Sequence, residues 1–161
     1  MKKIIVLLLM MSAVLTLSAQ GEWKTVKTEA DDLRGIKGGE TCLYTEECIG
    51  SFVVWDWKDP QFLLVSDNGI FNINSGGWLE ILIGFYNNDG GLIEKMKLWL
   101  SKEEGSGYKH ARTIGNGMIP PGQKKKVNKI FKALQSTDGY IRIVAPRYDT
   151  VDFDIKIPPY K

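Results

Sequence analysis

The stretch Trp78–Leu100, WLEILIGFYNNDGGLIEKMKLWL, decides how this chain folds. It reads as an apolar strand, a polar glycine-rich turn and a second, half-polar strand. Side chains alternate along a strand, so Leu79, Ile81, Ile83 and Phe85 share one face while Trp78, Leu82 and Tyr86 share the other. An arm that is apolar on both faces is expected in the middle of a sheet covered on both sides. In the return arm Leu92, Met96, Leu98 and Leu100 face one way and Lys95 and Lys97 the other, the pattern of a strand with one wet side. Leu92, Met96, Trp99 and Leu100 also fit helical spacing. The turn Asn87-Asn88-Asp89-Gly90-Gly91 favours the strand, because Asn and Gly accept the positive φ that hairpin turns need.

Working back from this hairpin, Ser51–Trp57 (SFVVWDW) is β-branched and aromatic, and reads as a strand ended by Asp59-Pro60. Gln61–Ser66 and Ile70–Ile73 read as a hairpin around Asp67-Asn68-Gly69. Glu22–Thr28 and Thr41–Tyr44 read as short strands separated by a loop over Ala30–Glu40. Downstream, Ser101–Gly117 reads as a charged surface loop with a short strand near Ala111–Ile114. After Pro120-Pro121-Gly122, Val127, Ile130, Phe131 and Leu134 recur at three- and four-residue spacing and predict an amphipathic helix that Ser136–Gly139 ends. Tyr140–Ala145 and Thr150–Ile157 close the chain as strands, with Val151, Phe153, Ile155 and Ile157 on one face. The expected fold is mainly β: a two-layer antiparallel β-sandwich, or partly closed barrel, with one amphipathic helix near the C-terminus covering an end or a sheet edge.

The first residues belong to a different class. Lys2 and Lys3 precede an apolar run from Ile4 to Leu17 and a small-residue site at Ser18-Ala19, the anatomy of a cleaved secretory signal peptide. The run is interrupted by Ser12 and Thr16, and is shorter than the roughly 20 residues of a bilayer span. The organisation expected is therefore a signal peptide over 1–19 and one domain over 20–161, periplasmic or secreted, with no stable membrane span after processing. Losing Lys2 and Lys3 brings 21 basic residues to 19, level with the 19 acidic ones. A domain of zero net charge exerts no long-range pull on nucleic acid or anionic lipid.

Cys42 and Cys48, close in sequence in an exported chain, are expected to form a disulfide. They lack C-x-x-C spacing and nearby His, so neither redox catalysis nor a zinc site is indicated, and no metal or cofactor is expected. The lone His110 and the Gly105-Ser106-Gly107 segment lack the partners and spacing of a nucleophile site. Asp149, Asp152 and Asp154 stand close together near the end of the chain, where paired carboxylates could serve as acid and base. The simpler reading is a solvated face balanced by Arg142 and Lys156. The same acids, or Asn87, Asn88 and Asp89, could ligate Ca²⁺, but neither run has EF-hand order. Trp55 and Trp57 lie two apart on one strand and so face the same side; exposed, they would stack on sugar rings, and buried, they would fill the core. Lys124–Lys132 forms a basic helix face, most simply solvated.

The Leu17-Ser18-Ala19-Gln20 junction, the helix segment Lys129-Ile130-Phe131-Lys132-Ala133-Leu134, and the strands Gly139-Tyr140-Ile141-Arg142-Ile143 and Phe153-Asp154-Ile155-Lys156-Ile157 form a pattern. In that layout the chain resembles small exported proteins of unknown function from Bacteroidota, and the resemblance transfers no site residue. The function expected is a non-catalytic binding domain for a protein partner outside the cytoplasm. The alternatives are a carbohydrate-binding module using Trp55 and Trp57, and a carboxylate-based hydrolase.

Overall fold

Among the described residues, β-branched and aromatic runs punctuated by Gly, Asn and Pro give nine strands and one helix. The computed structural model describes residues 21–35, 37–46, 49–55, 61–67, 69–102, 109–112, 123–149 and 151–160, without the side chains of 55 and 110–112. The expected signal peptide lies outside these residues. The strands are β1 (Glu22–Thr28), β2 (Gly39–Glu46), β3 (Gly50–Trp55), β4 (Gln61–Ser66), β5 (Trp78–Tyr86), β6 (Leu92–Lys102), β7 (His110–Arg112), β8 (Tyr140–Ala145) and β9 (Phe153–Ile157). The helix α1 (Gln123–Leu134) precedes β8.

All pairings are antiparallel. The meander β1-β2-β3-β4 forms one four-stranded sheet and β6-β5-β8-β9 the other, and the sheets do not close into a barrel. Short β7 pairs with β4 on one side and with Ser101 and Lys102 of β6 on the other, joining the sheets along one margin. This is the expected sandwich. The Trp78–Leu100 hairpin supplies its central strand and a neighbour, in strand form throughout.

Each sheet turns one face inward. Cys42, Tyr44, Phe52, Val54, Phe62 and Leu64 line the first; Leu79, Ile81, Ile83, Leu98, Leu100, Ile141, Ile143, Phe153 and Ile155 line the second, all buried. The Val127–Ile130–Phe131–Leu134 stripe of α1 joins the same core, with Phe131 6.4 Å from Phe62 between ring centroids. After β9 the chain returns to the first sheet. Trp23 Nε1 donates to Pro158 O at 2.9 Å, the Thr25 and Tyr160 hydroxyls lie 2.5 Å apart, and Tyr160 N donates to Leu134 O at 2.7 Å.

Three expectations need correction. β5 is central but is covered on one side only: on its other face Leu82 is 42% exposed and Trp78, Glu80 and Tyr86 are half-buried. The helix goes to an edge of the sheet and leaves that face open. Ile70–Ile73 is not the hairpin partner of β4, whose two edges are taken by β3 and β7. Instead Phe71 bridges Arg147, while Asn72 N and Tyr148 N bond to Pro146 O and Ile70 O at 2.9 Å. The last strand starts at Phe153, so Val151 precedes it and is exposed.

The open edge of β6 sets the position of α1. At Trp99 the backbone N–H and C=O point away from β5, and the buried side chain of Gln123 meets both. Its Oε1 accepts from Trp99 N at 2.6 Å and its Nε2 donates to Trp99 O at 2.9 Å. One turn on, Lys126 Nζ donates to Lys97 O at 2.8 Å, and one further turn on Lys129 pairs with Glu94. A helix advancing by three residues thus covers a strand edge that would otherwise present unpaired backbone groups. Replacing Gln123 by Ala strands two backbone groups, each costing about 1–3 kcal/mol when buried and unpaired. Gln123→Ala is therefore expected to lower unfolding stability by about 2–6 kcal/mol in urea titrations, whereas Lys132→Ala on the exposed side shifts it by under about 0.5 kcal/mol.

Candidate binding face

The open face of the second sheet is built by register. Lys97, Leu82, Val144 and Asp154 lie across β6, β5, β8 and β9 in one row, and Lys95, Gly84, Arg142 and Lys156 in the next. Directly paired residues share a face, so all these side chains point outward. In the row beyond, Tyr86 and Tyr140 are paired, and their rings stack in parallel with centroids 5.0 Å apart and planes 1° from parallel. Gly84 makes room for this arrangement, because a Cβ there would sit 2.6 Å from Tyr86 Cε2.

Charge on this face is held in pairs. Arg142 donates through Nε to Asp154 Oδ1 at 2.7 Å and through Nη2 to Oδ2 at 2.6 Å, the two-pronged geometry that a guanidinium offers a carboxylate. Those bonds, with a further one to Tyr86, hold the Arg142 pKa above its ordinary value. Lys97 pairs with Glu80 at 2.6 Å, and Lys156 Nζ lies 5.6 Å from the Tyr140 ring centroid. Trp99, 36% exposed, stands beside Glu80 at the margin. The face therefore has an apolar centre at Leu82 and Val144, bordered by stacked aromatics and by charges that neutralise each other.

The residues singled out from the sequence are dispersed. Trp55 ends β3 with its side chain outside the described set, and Trp57 lies outside it altogether. Among the clustered acids, Asp154 is taken by Arg142 and Asp149 by Arg147 at 2.8 Å, while Asp152 lies in the connection before β9. Asn87 Oδ1 accepts from Gly91 N at 2.6 Å and Asn88 Oδ1 from Gly139 N at 2.9 Å, so these amides brace the β5–β6 turn. His110 lies in β7, and Ser106 is outside the described residues. Cys42 is a buried free thiol whose Sγ lies 3.6 Å from Glu40 Oε1. Cys48 lies outside the described residues, so the expected disulfide is not among the links seen. No group of three or more His, Cys, Asp or Glu able to hold a metal occurs among the described residues. An open cavity of about 390 Å³ lies at the end of the second sheet, lined by 73–77, Lys102 and Tyr148.

The features that sequence reasoning missed depend on register. Gly84 set between Arg142 and the Tyr86 ring is the one local signal, since a Gly inside a strand often marks a close approach. No family model, curated protein or solved structure matches this chain.

Glu46, at the end of β2, faces Asp154 and Lys156, and its carboxyl pKa is pushed up by burial, then by the Asp154 charge, with Lys156 opposing. Below its ordinary value of 4.5 the group is protonated in both folded and unfolded chains and costs nothing. As pH rises towards the folded value the unfolded chain ionises first, and stability falls. Glu46→Gln is expected to raise the unfolding midpoint at pH 7 and to leave it unchanged at pH 4, as thermal melts across that range would show.

Proposed function

We propose that this is an exported, non-catalytic binding domain that engages a protein partner through the open face of its second sheet. The observation that carries the reading is Leu82, 42% exposed in the middle of the central strand while its inward neighbours Ile81 and Ile83 are fully buried. Around it stand Val144, Tyr86, Tyr140 and Arg142, and Tyr, Trp and Arg about an apolar centre make the composition of interface hot spots. Charges already paired within the face lose less on desolvation than lone ones. Export rests on the Lys2–Ala19 signal pattern.

The hydrolase alternative is weakened because Asp149 and Asp154, two of its three acids, are bound to arginines. The carbohydrate alternative rests on Trp55 and Trp57 and draws nothing from this face. The test is proximity cross-linking in the periplasm followed by pull-down with wild-type and Leu82→Glu protein. Leu82→Glu is expected to keep the wild-type melting profile, since the side chain is largely outside the core, and to lose the partner by at least about 100-fold in affinity. Equal capture by both proteins would exclude this face, and retention on a glycan array that Trp55→Ala abolishes would favour the carbohydrate reading.

A further inference from the structure

We propose that the ridge formed by α1 and the adjoining edge of β6 docks the protein on an anionic lipid surface. The lysines of α1 are separated in sequence from those of β6, and the edge contact brings them together. Lys125 and Lys132 are exposed on α1, Lys95 and Lys97 on β6, and the Lys126–Lys97 O and Lys129–Glu94 bonds join the two elements between them. Among the described residues Glu80 and Glu94 are the acids on this seam, each held by one lysine. Glu22, Glu29, Asp31 and Asp32 lie on or next to β1, which is five places from β6 in the strand order. A domain of zero net charge is thus locally strongly positive along one edge. Such a field acts within a Debye length of about 8–10 Å, at contact range.

Charge alone would fit any polyanion; the apolar residues choose between them. β6 begins with Leu92, 53% exposed, and Ile93, 70% exposed. Ile93 is the extra residue of the bulge opposite Phe85 and Tyr86, which turns it out of the sheet. Leu92 and Ile93 are followed by Lys95 and Lys97 and then by half-exposed Trp99, a strip about 23 Å long at strand rise. Exposed aliphatics at one end and an indole at the other gain nothing from a soluble polyanion. At a bilayer interface they bury apolar area beneath the headgroups while the lysines meet phosphate. This surface shares Lys95, Lys97 and Trp99 with the β6 margin of the open face, and its test on vesicles is read without any protein partner.

The test is co-sedimentation of the processed protein, residues 20–161, with vesicles of phosphatidylcholine alone and of phosphatidylcholine containing phosphatidylglycerol, at low and high salt. The expected result is a preference for the anionic vesicles that high salt removes. Replacing Lys95, Lys125 and Lys132 together by Gln is expected to weaken that preference on the order of 100-fold. Ile93→Ser is expected to weaken binding to the anionic vesicles about tenfold. Both variants should keep the wild-type melting temperature, since every substituted side chain is exposed. Equal partition onto the two compositions, or a preference that survives the lysine substitutions, would overturn the proposal. So would salt-sensitive binding to polyglutamate without binding to anionic vesicles, which would assign the ridge to a soluble polyanion.

Discussion

At Trp99 the backbone N–H and C=O of β6 are met by a side chain, and no strand among the described residues supplies their partners. β7 pairs with β6 at Ser101 and Lys102, and among the described residues no strand continues along the edge below it. Gln123 fills the gap with one amide, which is a donor and an acceptor held in the spacing of a peptide group. Because Gln123 opens α1, that bond also sets where the helix starts and which way its apolar stripe points. From there Val127, Ile130, Phe131 and Leu134 fall into the core between the sheets.

This placement explains why one face of the second sheet is bare. A helix lying across β5 and β8 would have covered Leu82 and Val144. Drawn to the edge instead, α1 leaves them in solvent, and the sheet meets the exposure with side-chain pairs: Tyr86 on Tyr140, Arg142 with Asp154, Lys97 with Glu80. With both partners of the Arg142 pair about 40% exposed, it adds under about 1 kcal/mol to stability. Its larger effect is geometric. The guanidinium is fixed in plane with the carboxylate and bonded to Tyr86, which leaves the outer surface preorganised.

How much of this could be read from the chain depends on the range of the interaction. Strand identity was legible because alternation and turn chemistry are local: Gln61–Ser66, Trp78–Tyr86 and Tyr140–Ala145 have the expected bounds. Pairing was less so. Asp67-Asn68-Gly69 has the composition of a hairpin turn, yet the edge of β4 goes to β7, more than forty residues later in the chain. The two-sided apolarity of β5 was visible, but the position of the helix decides whether the second side is covered, and that rests on a Gln whose polarity marks it as a surface residue. The candidate face was legible only in pieces. Arg142 and Asp154 each carry a visible charge, and their meeting depends on the β8–β9 register.

Equal numbers of acidic and basic residues describe a sum, whereas contact is governed by arrangement over about one Debye length. The edge contact that satisfies β6 also sets the lysine-bearing flank of α1 against Lys95 and Lys97. Repulsion among these lysines is relieved by Glu80 and Glu94, and by water at the exposed side. Lysine is a common way to protect a sheet edge, since a strand added there would have to bury its charge. The same residues that keep other strands away from β6 make that edge attractive to anions, so guarding the fold and offering a docking surface follow from one arrangement of charge.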